Sequence, residues 1–228
     1  MQSLLLNGAG LAASGAFVFL VIAGAAGLHR TGLVGPRTAR KLIHVALANW
    51  WFIAVAMFDD PWAASAGPAC SLLAAVLAPR LRLFPADDAA AGTLDRGTIC
   101  YSAALLVLVN LSWRGLIPLS AATTGVLVMG WGDGLAGLMG MKFGTRGVLV
   151  WGRRKTVQGT AVMFLASFAA CFIVAVARGP RGSALFPAAL ISLSTAAVAT
   201  AFELFTPWGL DNLTIPLGAA LFNAGTFA

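Results

Sequence analysis

The chain reads as long apolar runs separated by short polar stretches, without the alternation that gives a water-soluble domain one wet face. A membrane-crossing helix needs about 20 apolar residues. Runs of that kind lie at roughly 3–28, 41–58, 61–79, 97–113, 116–141, 157–177, 184–205 and 213–227. The last is short, and Gly or Pro blurs several ends. The pattern predicts an all-α fold: a polytopic integral membrane helix bundle with about eight transmembrane helices. The connections are short, so residues 1–228 are expected to form a single transmembrane domain. No basic segment precedes the first run, so 3–28 is expected to be a retained span and not a cleaved signal peptide.

Composition sharpens this picture. Of 228 residues, 59% are hydrophobic and 10% are charged, whereas a soluble domain carries about 25% charged residues. An ordinary cytosolic enzyme, a disordered chain and a secreted disulfide scaffold are all excluded. The three cysteines, Cys70, Cys100 and Cys171, are odd in number and lack CxxC spacing, so neither a disulfide framework nor a zinc site is supported. A net charge of +7 would suggest nucleic acid in a soluble protein. In a membrane protein it reads as cations flanking spans, and no nucleic-acid partner is expected.

Those cations are unevenly placed. With eight spans, alternate loops share a side. One side then holds Arg30, Arg37, Arg40, Lys41, Arg80, Arg82, Arg96, Lys142, Arg146, Arg153, Arg154 and Lys155, and the other holds Arg114, Arg178 and Arg181. The crowded side is expected to be cytoplasmic, with both termini outside. Asp59 and Asp60 fall in an outer turn. Asp87, Asp88, Asp95, Asp133, Glu203 and Asp211 fall on the cytoplasmic side or in the cytoplasmic half of a span. Asp133 lies inside an apolar run, where a carboxylate costs a few kcal/mol unless it is paired or bound to a cation.

Four clusters on the crowded side carry candidate chemistry. The first is Arg37-x-x-Arg40-Lys41-x-x-His44, whose spacing puts its members on neighbouring turns of one helix face. The second runs Gly130-Trp131-Gly132-Asp133-Gly134, then Gly137, Gly140 and Gly144. Glycines at this spacing let another backbone or a ligand approach closely. The third is the basic loop Lys142–Thr156. Thr156 is placed to cap the next span, and Lys155 sits beside a helix N-terminus suited to phosphate. The Gly147–Arg154 stretch lacks the Lys-Ser/Thr of a P-loop. The fourth runs from Glu203 through Pro207, Trp208 and Gly209 to Asp211, Asn212 and Pro216. Capping accounts for Asp211 or Asn212. It does not account for Glu203, an acid at a helix C-terminus. Carboxylates bind Mg²⁺ together with substrate phosphates, and Lys and Arg neutralise phosphoryl oxygens. The residues thus predict a site for a magnesium nucleotide or another phosphorylated ligand at the inner membrane boundary.

In this order the clusters resemble the membrane-embedded CTP-dependent lipid kinases: dolichol kinase, phytol kinase, related polyprenol kinases and the CTP-dependent diacylglycerol kinase. The matching elements are Arg40-Lys41-Leu42-Ile43-His44, Arg96-Gly97-Thr98-Ile99-Cys100-Tyr101, the Gly132-Asp133 to Phe143-Gly144 stretch, Lys155-Thr156-Val157-Gln158-Gly159, and Glu203 with Asp211, Asn212 and Pro216. Gln158 stands where the family often has an acid.

The resemblance implies CTP-dependent phosphorylation of a lipid alcohol such as a polyprenol or phytol, with Mg²⁺ as cofactor and CTP as phosphoryl donor. It implies a catalytic set of Asp133, Lys155 and His44. Nucleotide contacts would come from Arg40, Lys41, Arg96, Thr98, Gly132, Gly137, Lys142, Lys155, Thr156 and Asn212. Metal ligands would come from Asp133, Glu203 and Asp211. The partners expected are the lipid substrate, CTP and the bilayer, with the site on the cytoplasmic side of the inner membrane. Part of this pattern also looks like phosphatidate cytidylyltransferase, whose H-G-G-x-x-D-R ending is absent here. A small ion-coupled transporter is the alternative from another class, but its charges would be expected near the midplane.

Overall fold

A computed structural model describes residues 1–77, 91–178, 185–207 and 209–226, with the side chains of residues 91–95, Arg153 and Arg178 left out. Arg80, Arg82, Asp87, Asp88, Arg181, Trp208 and the side chains of Asp95, Arg153 and Arg178 therefore lie outside the described parts.

Among the described residues each of the eight apolar runs is mainly helical, and two of them are interrupted. The helices are α1 (Gln2–Arg30), α2 (Pro36–Ala48), α3 (Trp50–Met57), α4 (Pro61–Leu77), α5 (Ala91–Trp113), α6 (Leu119–Leu127), α7 (Gly134–Phe143), α8 (Val157–Arg178), α9 (Leu185–Phe205) and α10 (Asp211–Thr226). The run expected over 41–58 is split into α2 and α3 at Asn49. The Asn49 amide donates to the carbonyls of Val45 and Ala46, and its oxygen accepts from Trp131. The run expected over 116–141 is α6 and α7 joined by a π-helical turn, Val128–Asp133. Three glycines in five residues (130, 132 and 134) weaken the α-helix there, and π turns loosen the ladder where function needs a displaced side chain. By length and composition alone, α1, α9 and the Val157–Ala177 part of α8 can each cross a membrane.

The segment expected to be a basic loop, Lys142–Thr156, contains an antiparallel hairpin. Its strands are β1 (Gly147–Val150) and β2 (Arg153–Thr156), with Val148 opposite Lys155. The turn residues Trp151 and Gly152 both have positive φ, 50° and 74°, the signature of a two-residue turn whose twist matches the strands. Trp151 is held there by its indole N–H, which donates to the Phe205 carbonyl at the end of α9 (3.1 Å). The hairpin is thereby fastened across the mouth of the bundle, and it adds a small β element to the all-α expectation.

The packing is that of a bundle facing lipid. Large apolar side chains such as Leu4, Phe19, Leu20 and Leu165 are exposed. Polar side chains such as Ser102, Thr123, Ser167 and Thr195 are buried. In water this arrangement would be costly; against acyl chains it is stable, because lipid is as apolar as leucine. The protein is a membrane protein. Its helix ends alternate: Asn7 meets Asp59 and Trp113 meets the Phe58 carbonyl at one end. At the other end Asn212 meets the Gly97 carbonyl and Lys41 meets Asp133.

Candidate active site

The glycine series on the π turn and α7 decides how closely other elements approach. A Cβ on Gly130 would lie 2.0 Å from the Ala48 Cβ, and one on Gly134 would lie 2.4 Å from Val45. One on Gly137 would lie 2.6 Å from the Lys41 Cε. Positions i, i+4 and i+7 thus form a bare stripe against which α2 lies. Its last member is a cradle for the Lys41 stem. The other side of the same helix meets the hairpin and α8. There Gly132 faces Ser167 and Met163, and Gly140 faces Thr156 and Gly159. Gly132 and Gly137, expected as phosphate contacts, are therefore filled by protein side chains in this structure.

Lys41 uses its cradle to reach Asp133. Its Nζ lies 2.6 Å from Oδ2, and Asp133 is 5% exposed. His44 lies one turn further along α2. Its Nε2–H donates to the Met129 carbonyl (3.1 Å) and stands 3.7 Å from Asp133 Oδ2. That carbonyl belongs to the π turn, so the irregular helix supplies both the carboxylate and the acceptor that orients the imidazole. The Tyr101 ring meets the His44 ring edge-on at 4.8 Å, and its hydroxyl donates to the His44 carbonyl (3.4 Å). Tyr101 was absent from the expected site set, although it closes the Arg96 element.

A second ion pair stands beside the first. Lys155, on β2, donates to Glu203 Oε1 in the last turn of α9. This cation answers the electrostatic objection to an acid at a helix C-terminus. Glu203 Oε2 is buried with no hydrogen-bond partner. Lys155 is within electrostatic range of Asp133, and Asp133 and Asp211 are within range of Glu203. The two pairs and Asp211 therefore form one charged network.

The other expected residues separate into supports and surface. Thr156 caps α8, accepting from the Gly159 N–H (3.1 Å). Asn212 donates to the Gly97 carbonyl (3.0 Å) and ties α10 to α5. Asp211 begins α10 and is buried, where the helix N-terminus favours its charge. Arg40 is half-buried on α2 beside Lys41, while Arg96 and Thr98 are exposed on α5. Lys142 is exposed, its ammonium 5.2 Å from the Phe143 ring. Gln158, in place of the family acid, donates to Thr145 (2.8 Å).

Among the described residues, no three His, Cys, Asp or Glu side chains converge closely enough to hold a metal by themselves. Asp133, Glu203 and Asp211 are thus neighbours and not a closed cage. Any Mg²⁺ bound there would need ligands beyond these side chains, such as waters and substrate phosphates. The Lys41 and Lys155 ammonium groups, each held on a carboxylate, are the cations a charged ligand would meet here.

A curated phytol kinase from Synechocystis sp. is 35% identical to this chain over 220 residues, spanning 96% of this chain and 91% of that protein. No family model matches the chain, and no solved structure matches it.

Proposed function

The chain belongs to the phytol kinase family of membrane lipid kinases, and from that premise we propose that it transfers the γ-phosphoryl group of CTP to a lipid alcohol at the cytoplasmic membrane face. The observation that carries this reading is the pair of neighbouring lysine–carboxylate contacts, Lys41 with Asp133 and Lys155 with Glu203. A phosphoryl-transfer site needs cations for the phosphates and carboxylates for the metal and the attacking hydroxyl. Here each cation is stored on a carboxylate, so both are neutralised until a nucleotide enters.

In this mechanism Lys41 and Lys155 turn from their carboxylates to the triphosphate, with Arg40 beside Lys41. Mg²⁺ carried with the nucleotide would neutralise developing phosphate charge, and Asp133 with Asp211 would hold it. His44, fixed by the Met129 carbonyl, lies beside the Asp133 carboxylate at 3.7 Å. Glu203, freed on both oxygens, accepts a hydrogen bond from the lipid hydroxyl. The hydroxyl oxygen attacks the γ-phosphorus and the bond to the β,γ-bridging oxygen breaks. CDP leaves with the bridging electrons, and the hydroxyl proton passes to Glu203 and then to solvent. The products are a lipid phosphate and CDP. Positioning and charge neutralisation do most of this work. The orientation follows from the twelve cations expected on one side, and the eight helical runs are read as eight spans.

The test is a matrix of purified protein with γ-labelled CTP or ATP against phytol, a polyprenol and diacylglycerol. Label in a prenol phosphate with release of CDP is expected. Release of pyrophosphate would replace kinase action by cytidylyl transfer. No turnover of any lipid, with ion flux in vesicles, would favour the transporter.

A further inference from the structure

A groove of about 790 Å³ opens on the outer side of the bundle where the hairpin overhangs α8 and α9. That size falls within the range of roughly 300–1,000 Å³ usual for small-molecule sites. One wall is a single face of α8: Val157, then Thr160 and Ala161, then Phe164 and Leu165. These are positions i, i+3, i+4, i+7 and i+8, two turns or about 12 Å of helix. Thr200 and Leu204 of α9 form the other wall. The hairpin side is lined by Arg146, Gly147, Val148, Lys155 and Thr156.

Three features say what this groove accepts. Its walls are mostly apolar, with the Thr160 and Thr200 side chains among them, and its charged residues lie on the hairpin side. That side is continuous with the charged network, because Lys155 both lines the groove and holds Glu203. Glu203 does not line the groove itself but lies on α9 next to the lining residues Thr200 and Leu204, and its buried Oε2 has no hydrogen-bond partner. A molecule with an apolar chain and one terminal hydroxyl satisfies all three. The groove opens toward the side where exposed Leu165 and Val157 mark lipid contact, so such a molecule can slide in from the bilayer without crossing water.

We infer that this α8–α9 groove is the binding site for the chain of the lipid alcohol, with Ala161 on its α8 wall and its hydroxyl end at Lys155, the partner of Glu203. The inference rests on the kinase reading above and adds where the substrate lies.

The test is Ala161→Trp, at an exposed position where added bulk enters the groove and not the helical core. Ile173→Trp, exposed further along α8, is the control. Activity is measured in mixed micelles with phytol and with a five-carbon prenol, both at varied mole fraction. For Ala161→Trp we expect KM for phytol to rise at least fivefold. Its turnover of the short prenol and its KM for CTP should stay within twofold of wild type, which also shows that the variant folds. A phytol bearing a diazirine on its tail should label the 157–165 stretch in wild type and lose that labelling in Ala161→Trp. If Ala161→Trp and Ile173→Trp behave alike, or labelling is unchanged, the groove assignment is wrong while the kinase reading stands. Wild-type protein inactive on every alcohol would overturn the kinase reading and this inference with it.

Discussion

Lys41 and Asp133 are 92 residues apart in sequence, and their charged atoms lie 2.6 Å apart because Gly137 has no side chain. The ammonium crosses the face of α7 through the space a Cβ would fill. The contact therefore depends on three positions, of which one carries no functional group.

Gly137→Ala tests that dependence. The three atoms nearest the new Cβ all belong to the flexible end of Lys41, so the fold should tolerate it; alanine also gains up to about 1 kcal/mol in helix propensity. The expected result is an unchanged or slightly raised Tm in detergent and at least a tenfold loss of activity. Gly130→Ala should behave oppositely. Its Cβ would collide with the Ala48 Cβ, and overpacking of this kind costs about 1–3 kcal/mol, so Tm should fall.

Asp133→Asn should abolish more than 99% of phosphoryl transfer. Breaking a fully buried pair costs about 3–5 kcal/mol; the cost here should be smaller, since the Lys41 side chain keeps 30% of its exposure. Lys41→Met combined with Asp133→Asn should be more stable than Asp133→Asn alone, because no unpaired cation is left. Thermal unfolding of the two single variants and the double variant checks this as a coupling energy.

Glu203→Gln and Lys155→Met should separate the roles of the second pair. Lys155→Met should chiefly raise KM for the nucleotide, since it removes a phosphate partner. Glu203→Gln should chiefly lower kcat, since it keeps the shape of the side chain but weakens the acceptor for the lipid hydroxyl. Steady-state kinetics with each substrate varied in turn would show the opposite assignment if the roles are reversed.

Far from the site, Ser3 and Asn7 hold the Asp59 carboxyl below its ordinary value of 3.8 by hydrogen bonding. A depressed carboxyl stabilises the fold above the unfolded value, and that contribution is lost as pH falls through the lower folded value. Asn7→Leu should therefore unfold more easily than wild type at pH 7, and the difference should shrink as pH falls below 3.8. Denaturation followed at several pH values measures it.

Much of this molecule was legible in its sequence. Apolar run length marked the helices, because the bilayer sets how many residues must be apolar in a row. Asp133 and Glu203 stood out because charge is rare and expensive in such runs, and Lys155 because it stands beside a helix N-terminus suited to phosphate. The Thr156 cap was legible because capping is a contact between near neighbours in sequence. The hairpin was not, since four-residue strands among glycines and arginines carry no clear period. The π turn was not, although its glycines hinted at weakness in the helix. Tyr101, named only as the last residue of the Arg96 element, was given no role because its partner, His44, is 57 residues away.

The sequence by itself determined the class of protein, the helical runs and the short roster of costly charges, since each is a property of composition or of neighbouring residues. The tertiary structure alone decided which charges meet. Lys41 could have faced any phosphate or carboxylate at the membrane border; the bare stripe of Gly130, Gly134 and Gly137 brings it to Asp133. Lys155 could have been one more cation in a basic loop; the hairpin, fastened by Trp151 to the end of α9, brings it to Glu203. Pairing over such separations depends on how closely helices approach, and that distance is set by side chains that are missing as much as by those present.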